Sequence, residues 1–190
     1  MRILTPKGEV VLEEDEEPKR GQLEKLPSLR PAFDHAGTIT AGNASTLNDG
    51  AATLILASAR AVERHRLKPL ARIIAYAGHA QAPEWFTTAP VGAIERVLAR
   101  AELNIEDIDL FEVNEAFAVV PLACARRAQF ALDRTNVRGG AVALGHPIGA
   151  SGARILVTLL HAMQAMGKRR GLATLCIGGG EAVALVVERA

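Results

Sequence analysis

The C-terminal end of the chain limits its fold more than any other part. Two β-rich runs, Leu172–Ile177 and Ala182–Glu188, are separated only by Gly178-Gly179-Gly180-Glu181. A parallel pair needs a crossover of roughly a dozen residues, so a gap this short forces the two runs to lie antiparallel. Upstream, strand-like and helix-like runs alternate. Ala51–Ala57, Ala71–Ala77 and Asp109–Val113 read as strands. Helices are expected over Ser58–Arg66 with Ser58 as N-cap, over Val91–Ala101 with Ile94, Val97 and Leu98 on one face, and from Glu115 to about Arg127. The expected fold is α/β: a five-stranded mixed sheet with helices on both faces. Pro121 falls inside the Glu115–Arg127 helix, where a proline removes a hydrogen bond, and either a kink or a helix packed firmly enough to tolerate one is expected there.

A long helix is expected over Gly149–Met166. Its polar residues, Ser151, Arg154, Thr158, His161 and Gln164, form one narrow stripe, and apolar residues occupy nearly all the rest. A helix of that kind is buried on more than one side. A single sheet covers only one, so more chain or a partner is expected to cover the other. Residues 1–37 differ in texture: Glu13-Glu14-Asp15-Glu16-Glu17 is an acidic run, and Pro18, Pro27, Pro31 and Gly37 punctuate what surrounds it. They read as a solvated arm ahead of a packed domain over 38–190.

The 190 residues suffice for one domain with its own core, and 49% apolar with 23% charged residues reads as globular. A formal charge of +1 offers no basic footprint for nucleic acid. No apolar run reaches membrane-spanning length, and the first residues lack a signal-like apolar stretch, so neither a membrane nor secretion is expected. The two cysteines, Cys124 and Cys176, form no C-x-x-C pattern, so neither a disulfide framework nor a metal site is expected, and a reducing cytoplasm fits them.

Three short segments carry polar or reactive side chains at the junctions of elements, where an α/β scaffold exposes its chemistry. Asn114-Glu115-Ala116-Phe117 follows a strand; Asn114 reads as a polar site residue or as a helix N-cap. Gly145-His146-Pro147-Ile148-Gly149-Ala150-Ser151-Gly152 leads into the long helix. His146 there reads as a proton acceptor or oxyanion donor, or as a loop-holding histidine. Cys176-Ile177-Gly178-Gly179-Gly180 ends a strand in bare backbone, and the thiol reads as reactive or as core. An amide, an imidazole and a thiol together resemble parts of an acyl-transfer site.

These stretches, together with Gly37 to Ser45, Asn48 to Ala52, Gly139-Gly140 and Gly145 to Arg154, closely resemble the C-terminal half of thiolases, the enzymes that make or cleave 3-oxoacyl-CoA. The resemblance implies a thiolase-like C-terminal domain and an acyltransferase acting on acetyl-CoA and acyl-CoA in fatty acid metabolism, with coenzyme A thioesters as substrates and no resident cofactor. By resemblance, Cys176 is the acid/base cysteine, His146 activates the nucleophilic cysteine and lines an oxyanion hole, Asn114 holds a water there, and the Gly178 N–H serves a second hole. Ser45, Leu47, Ala41, Phe33, Ala116 and Phe117 fall at positions resembling pantetheine and acyl contacts. Lys19 stands where an arginine often meets the nucleotide of coenzyme A, and Phe86 where many short-chain members carry methionine.

The family's nucleophilic cysteine precedes everything in this sequence, and Cys124 lies mid-helix and does not replace it. The resemblance therefore implies dependence on an N-terminal thiolase half, a homo-oligomer, or both. Two alternatives stand beside it: a non-catalytic remnant that binds coenzyme A or another subunit, and a Cys176–His146 thioester hydrolase.

Overall fold

The computed structural model describes residues 1–190. It begins with a hairpin of β1 (Arg2–Thr5) and β2 (Gly8–Val11), a short helix α1 (Glu17–Arg20) and a 3-10 turn over Leu23–Ser28. After an extended stretch come α2 (Ala59–His65), β3 (Ala71–Ala80), α3 (Ala89–Ala101), β4 (Leu110–Val113), α4 (Val119–Ala128), α5 (Ala141–Leu144), α6 (Ser151–Ala165), β5 (Arg170–Ile177) and β6 (Glu181–Arg189). The arm expected over 1–37 thus carries a local hairpin and a helical turn, although none of its residues is buried.

The main sheet has four strands in the order β3-β6-β5-β4, not five. The expected antiparallel pairing is present: β5 runs against β6 from Arg170↔Glu188 to Ile177↔Glu181, and β3 flanks β6 antiparallel on its other side. β4 pairs parallel with β5, with α6 in the crossover between them. The strand missing from the expected count is Ala51–Ala57. It forms no strand and its backbone bonds to no neighbour, and Ile55 and Leu56 are 90% and 76% exposed. Composition can favour a strand, but only an adjacent sheet edge makes one.

Helices cover both faces. On one, α3 and α4 close a core that includes Ile94, Val97, Phe111, Val120 and Leu172, with Phe111 stacked on Phe130 at 4.3 Å between ring centroids. On the other, Ile155, Leu159, Ala162 and Met163 of α6 lie on Leu110, Ala173 and Val187. Leu156 and Leu160 pack against that core but stay half-buried, as does Val157, so the sheet covers only part of this apolar helix. A kink at Pro121 does not arise. The helix starts at Val119, four residues later than expected, which puts Pro121 in the first turn, where its missing N–H has no intrahelical partner to lose.

Candidate active site

The C-terminal ends of the parallel strands place the site. β4 stops at Val113, and the Asn136 side-chain amide bonds both the N–H and the C=O of that residue at 2.9 Å each, as a neighbouring strand would. The next residue, Asn114, continues the ladder, its N–H donating to the Thr174 carbonyl at 3.0 Å, and its side chain is 1% exposed. Two residues beyond Thr174, Cys176 is the next-to-last residue of β5. Glu115 spans from Asn136 to the start of α5, its carboxylate accepting from Asn136 Nδ2 at 3.2 Å and from the Val142 N–H at 3.0 Å. Gly140 must be glycine here, because a Cβ would run into that carboxylate.

His146 arrives on the loop ahead of α6. Its backbone N–H donates to the Thr46 carbonyl and to Asn48 Oδ1, both at 3.0 Å, which ties the loop to residues 45–48. Gly145 has φ +86, and a Cβ on it would meet the Asn48 amide. The ring is gripped at both nitrogens: Nδ1 lies 2.5 Å from Ser151 Oγ and Nε2 lies 3.3 Å from Asn114 Nδ2. Ser151 Oγ uses its one proton on the Pro147 carbonyl at 3.0 Å, so it accepts from Nδ1–H. Nε2 is then the unprotonated nitrogen and accepts from Asn114. Burial, and secondarily the Arg154 guanidinium, hold the imidazole below its usual range, so it is neutral near pH 7. Burial pushes the Cys176 thiol up, opposed by its own backbone N–H, so it rests protonated.

The residues singled out in the sequence come together unevenly. Asn114 and His146 touch directly. Ser45 meets Ala116, both its N–H (3.1 Å) and its Oγ (3.0 Å) donating to the Ala116 carbonyl, and Leu47 bridges His146. Phe33, Phe86 and Phe117 form an edge-to-face trio, Phe117 lying 5.8 Å from Phe33 and 6.2 Å from Phe86. Ala41 sits in the exposed turn that Asn43 holds through Thr40 and Thr38. Gly178 opens the turn after β5, in which Gly179 and Gly180 take φ +89 and +88. Lys19 stands apart on α1, where it pairs with Glu14. Cys176 makes no hydrogen bond to His146, whose ring nitrogens are both engaged elsewhere, and a cavity of about 530 Å³ along α6 includes neither residue. Cys124 is fully buried; burial, with Cys176 nearby and Arg127 opposing, pushes its thiol up to about 12. Ser151, Asn136 and the bridging Glu115 carried no assigned role in the sequence. Glu115 and Ser151 lie inside quoted motifs, while only the tertiary contact marks Asn136.

Residues 67–189 match the family described as thiolase, C-terminal domain, and residues 1–60 match thiolase, N-terminal domain. The chain belongs to the thiolase family. Acetyl-CoA acetyltransferase of Escherichia coli (strain K12) is 54% identical over 190 residues, which is 100% of this chain and 48% of that thiolase. Among solved structures, the Bacillus anthracis acetyl-CoA acetyltransferase is similar with a TM-score of 0.93 and 43% identity, covering 100% of this chain and 48% of the other. Acat5 thiolase from Ascaris suum, solved in complex with coenzyme A, gives a TM-score of 0.86 at 47% identity over 94% of this chain and 47% of that one. The chain spans about half the length of the curated relatives it matches.

Proposed function

We propose that this chain supplies the acid/base half of an acetyl-CoA C-acyltransferase, which cleaves or forms 3-oxoacyl-CoA, and that the attacking sulfur comes from an N-terminal thiolase half, in the same or another polypeptide. The observation that carries the reading is a neutral imidazole gripped at both nitrogens beside Asn114, at the strand ends where Cys176 also lies. In thiolysis, His146 Nε2 accepts the proton of the nucleophilic thiol, and the thiolate adds to the 3-carbonyl carbon. The imidazolium N–H then faces the resulting oxyanion, while Ser151 keeps Nδ1–H in place. The C2–C3 bond breaks, its electron pair passes into the thioester enolate, and the Cys176 thiol donates its proton to C2 to release acetyl-CoA. The acyl group stays on the nucleophile until coenzyme A takes it. A thiol resting protonated suits that first protonation, and one preorganised donor at an oxyanion contributes about 3–4 kcal/mol.

Lys19, Ser45, Leu47 and the aromatic trio are read as contacts for the coenzyme A thioester, with Phe117 and Phe86 nearest the acyl end. No helix is long and apolar enough to cross a membrane, and both cysteines are free thiols; a cytoplasmic enzyme that assembles with further thiolase subunits fits both facts. The test is acetoacetyl-CoA thiolysis by the chain alone and after addition of an N-terminal thiolase half. Turnover only in the mixture, lost in Cys176→Ala, supports the reading. Turnover by the chain alone that survives Cys124→Ala overturns the dependence on a second half. Calorimetric binding of acetyl-CoA with no turnover in either setting replaces it with a coenzyme A-binding role.

A further inference from the structure

Six buried side-chain polar atoms lack a hydrogen-bond partner, and five of them belong to three residues: Glu112 Oε1 and Oε2, Asn114 Oδ1, and Arg154 Nε and Nη1. Such groups are costly singly, and an unpaired buried charge is the costliest. Here they are complementary, three acceptors against two donors. Their placement is systematic. Successive side chains of a strand alternate between faces. Leu110 packs in the α6 layer, so Glu112 and Asn114 point to that same side. On α6, Arg154 lies three residues after Ser151 and so on the same face. Asn114 and Ser151 grip the two nitrogens of His146. Glu112 and Arg154 are the residues directly behind them, one on the strand and one on the helix, and the two elements pack together.

We propose that Arg154, sharing the β4–α6 layer with Glu112, sets the charge state of His146. The guanidinium makes no hydrogen bond to Glu112 or Asn114, but it lies close enough to act electrostatically on both the Glu112 carboxyl and the imidazole. Its positive charge opposes protonation of the ring. Glu112 is 1% exposed, and burial pushes its carboxyl up to about 8, against the pull of Arg154 and with Glu115 adding to the rise. Below that pH the carboxyl is neutral and the Arg154 charge acts on His146 without offset; above it the carboxylate cancels that charge. The charged and titratable groups around the imidazole are Arg154 on α6, Glu112 and Glu115 on and after β4, Cys176 at the end of β5, and Glu17 of α1, which reaches the 45–48 loop by accepting from Thr46 Oγ1 at 3.0 Å.

This inference rests on His146 as the proton acceptor of the proposed reaction, but its test needs no turnover, so failure of the acyl-transfer assay leaves it standing or falling on its own. The measurement is an NMR titration of the imidazole resonances of the full chain, with His146 assigned by their loss in His146→Gln. Arg154→Met raises the His146 midpoint by about half a pH unit or more, and Arg154→Lys, which keeps the charge, restores it. In the unaltered chain the neutral ring's resonances show a further inflection near pH 8 as Glu112 ionises, and Glu112→Gln abolishes it. A folded Arg154→Met chain with an unchanged midpoint overturns the proposal. If that variant does not fold, Glu112→Gln decides alone: an inflection near pH 8 that persists in it, or that the unaltered chain never shows, overturns the proposal, and its specific loss supports it.

Discussion

All 36 buried residues lie at or after Ala77; residues 1–66 contain none. The earlier region is shaped by local bonds: a hairpin, the Ser58 cap of α2 and the Asn43 turn. The later region has a sheet with a core on each face. Yet the earlier region supplies Thr46 and Asn48, which hold the His146 backbone, and Ser45, which holds Ala116. The core therefore lies in the later region alone, whereas the site geometry draws on both. Residues 1–60 also match the thiolase N-terminal domain, and Ile55 and Leu56 within them are exposed.

The comparison can be broken at several points. In the complemented thiolysis assay, His146→Gln is expected to lower kcat by about 10²–10⁴-fold, the usual worth of a positioned proton acceptor. Lys19→Ala, in the earlier region, is expected to raise KM and leave kcat unchanged. An equal loss of kcat in both variants would show that the two regions share the chemistry.

For stability the contrast should be nearly as large. Phe111→Ala removes a ring stacked in the core and is expected to cost about 3–5 kcal/mol in urea unfolding. Leu56→Ala is expected to stay within about 0.5 kcal/mol. A cost above about 1 kcal/mol at Leu56 would mean that the earlier region has a core of its own.

The pH dependence of stability follows from Glu112. Its folded-state value is raised above the unfolded one, so the unfolded chain loses this proton first. Its contribution is fully present below about pH 4.5 and is lost as pH rises toward about 8, by up to about 1.4 kcal/mol per pH unit. Glu112→Gln is expected to flatten that decline and raise Tm at pH 8. An unchanged pH profile would place the pH response outside the β4–α6 layer.

The smallest contrast is between two glycines. Gly180 has φ +88, and a Cβ on it would strike the Gln81 backbone; Gly8 has φ +118 and open space around it. Gly180→Ala is expected to lower global stability by about 1–3 kcal/mol. Gly8→Ala should fray the hairpin without moving the global transition, as read by amide exchange across β1 and β2.

Much of the fold was legible because its signals are local. The glycine junction forced β5 and β6 antiparallel, and Ser58 capped α2 as expected. Ala51–Ala57 misled because its composition suits a strand whether or not an edge stands beside it. Pro121 misled because a difference of four residues in where a helix begins decides whether a proline falls in its interior or its first turn. Within the site, the positions of Asn114, His146 and Cys176 at the junctions of elements were legible. Asn136 was not, because its bonds to Val113 span 23 residues and no local pattern encodes them.

The antiparallel end of the sheet, the cap of α2 and the placing of an amide, an imidazole and a thiol at the junctions of elements follow from the sequence alone, since each depends on neighbours within a few positions. Tertiary structure alone decided which nitrogen of His146 keeps the proton, and that the buried Glu112 carboxyl and the Arg154 guanidinium share the β4–α6 layer. Those outcomes depend on groups carried by a strand and a helix that meet only after the chain has folded, in a layer dry enough for a single proton or charge to matter.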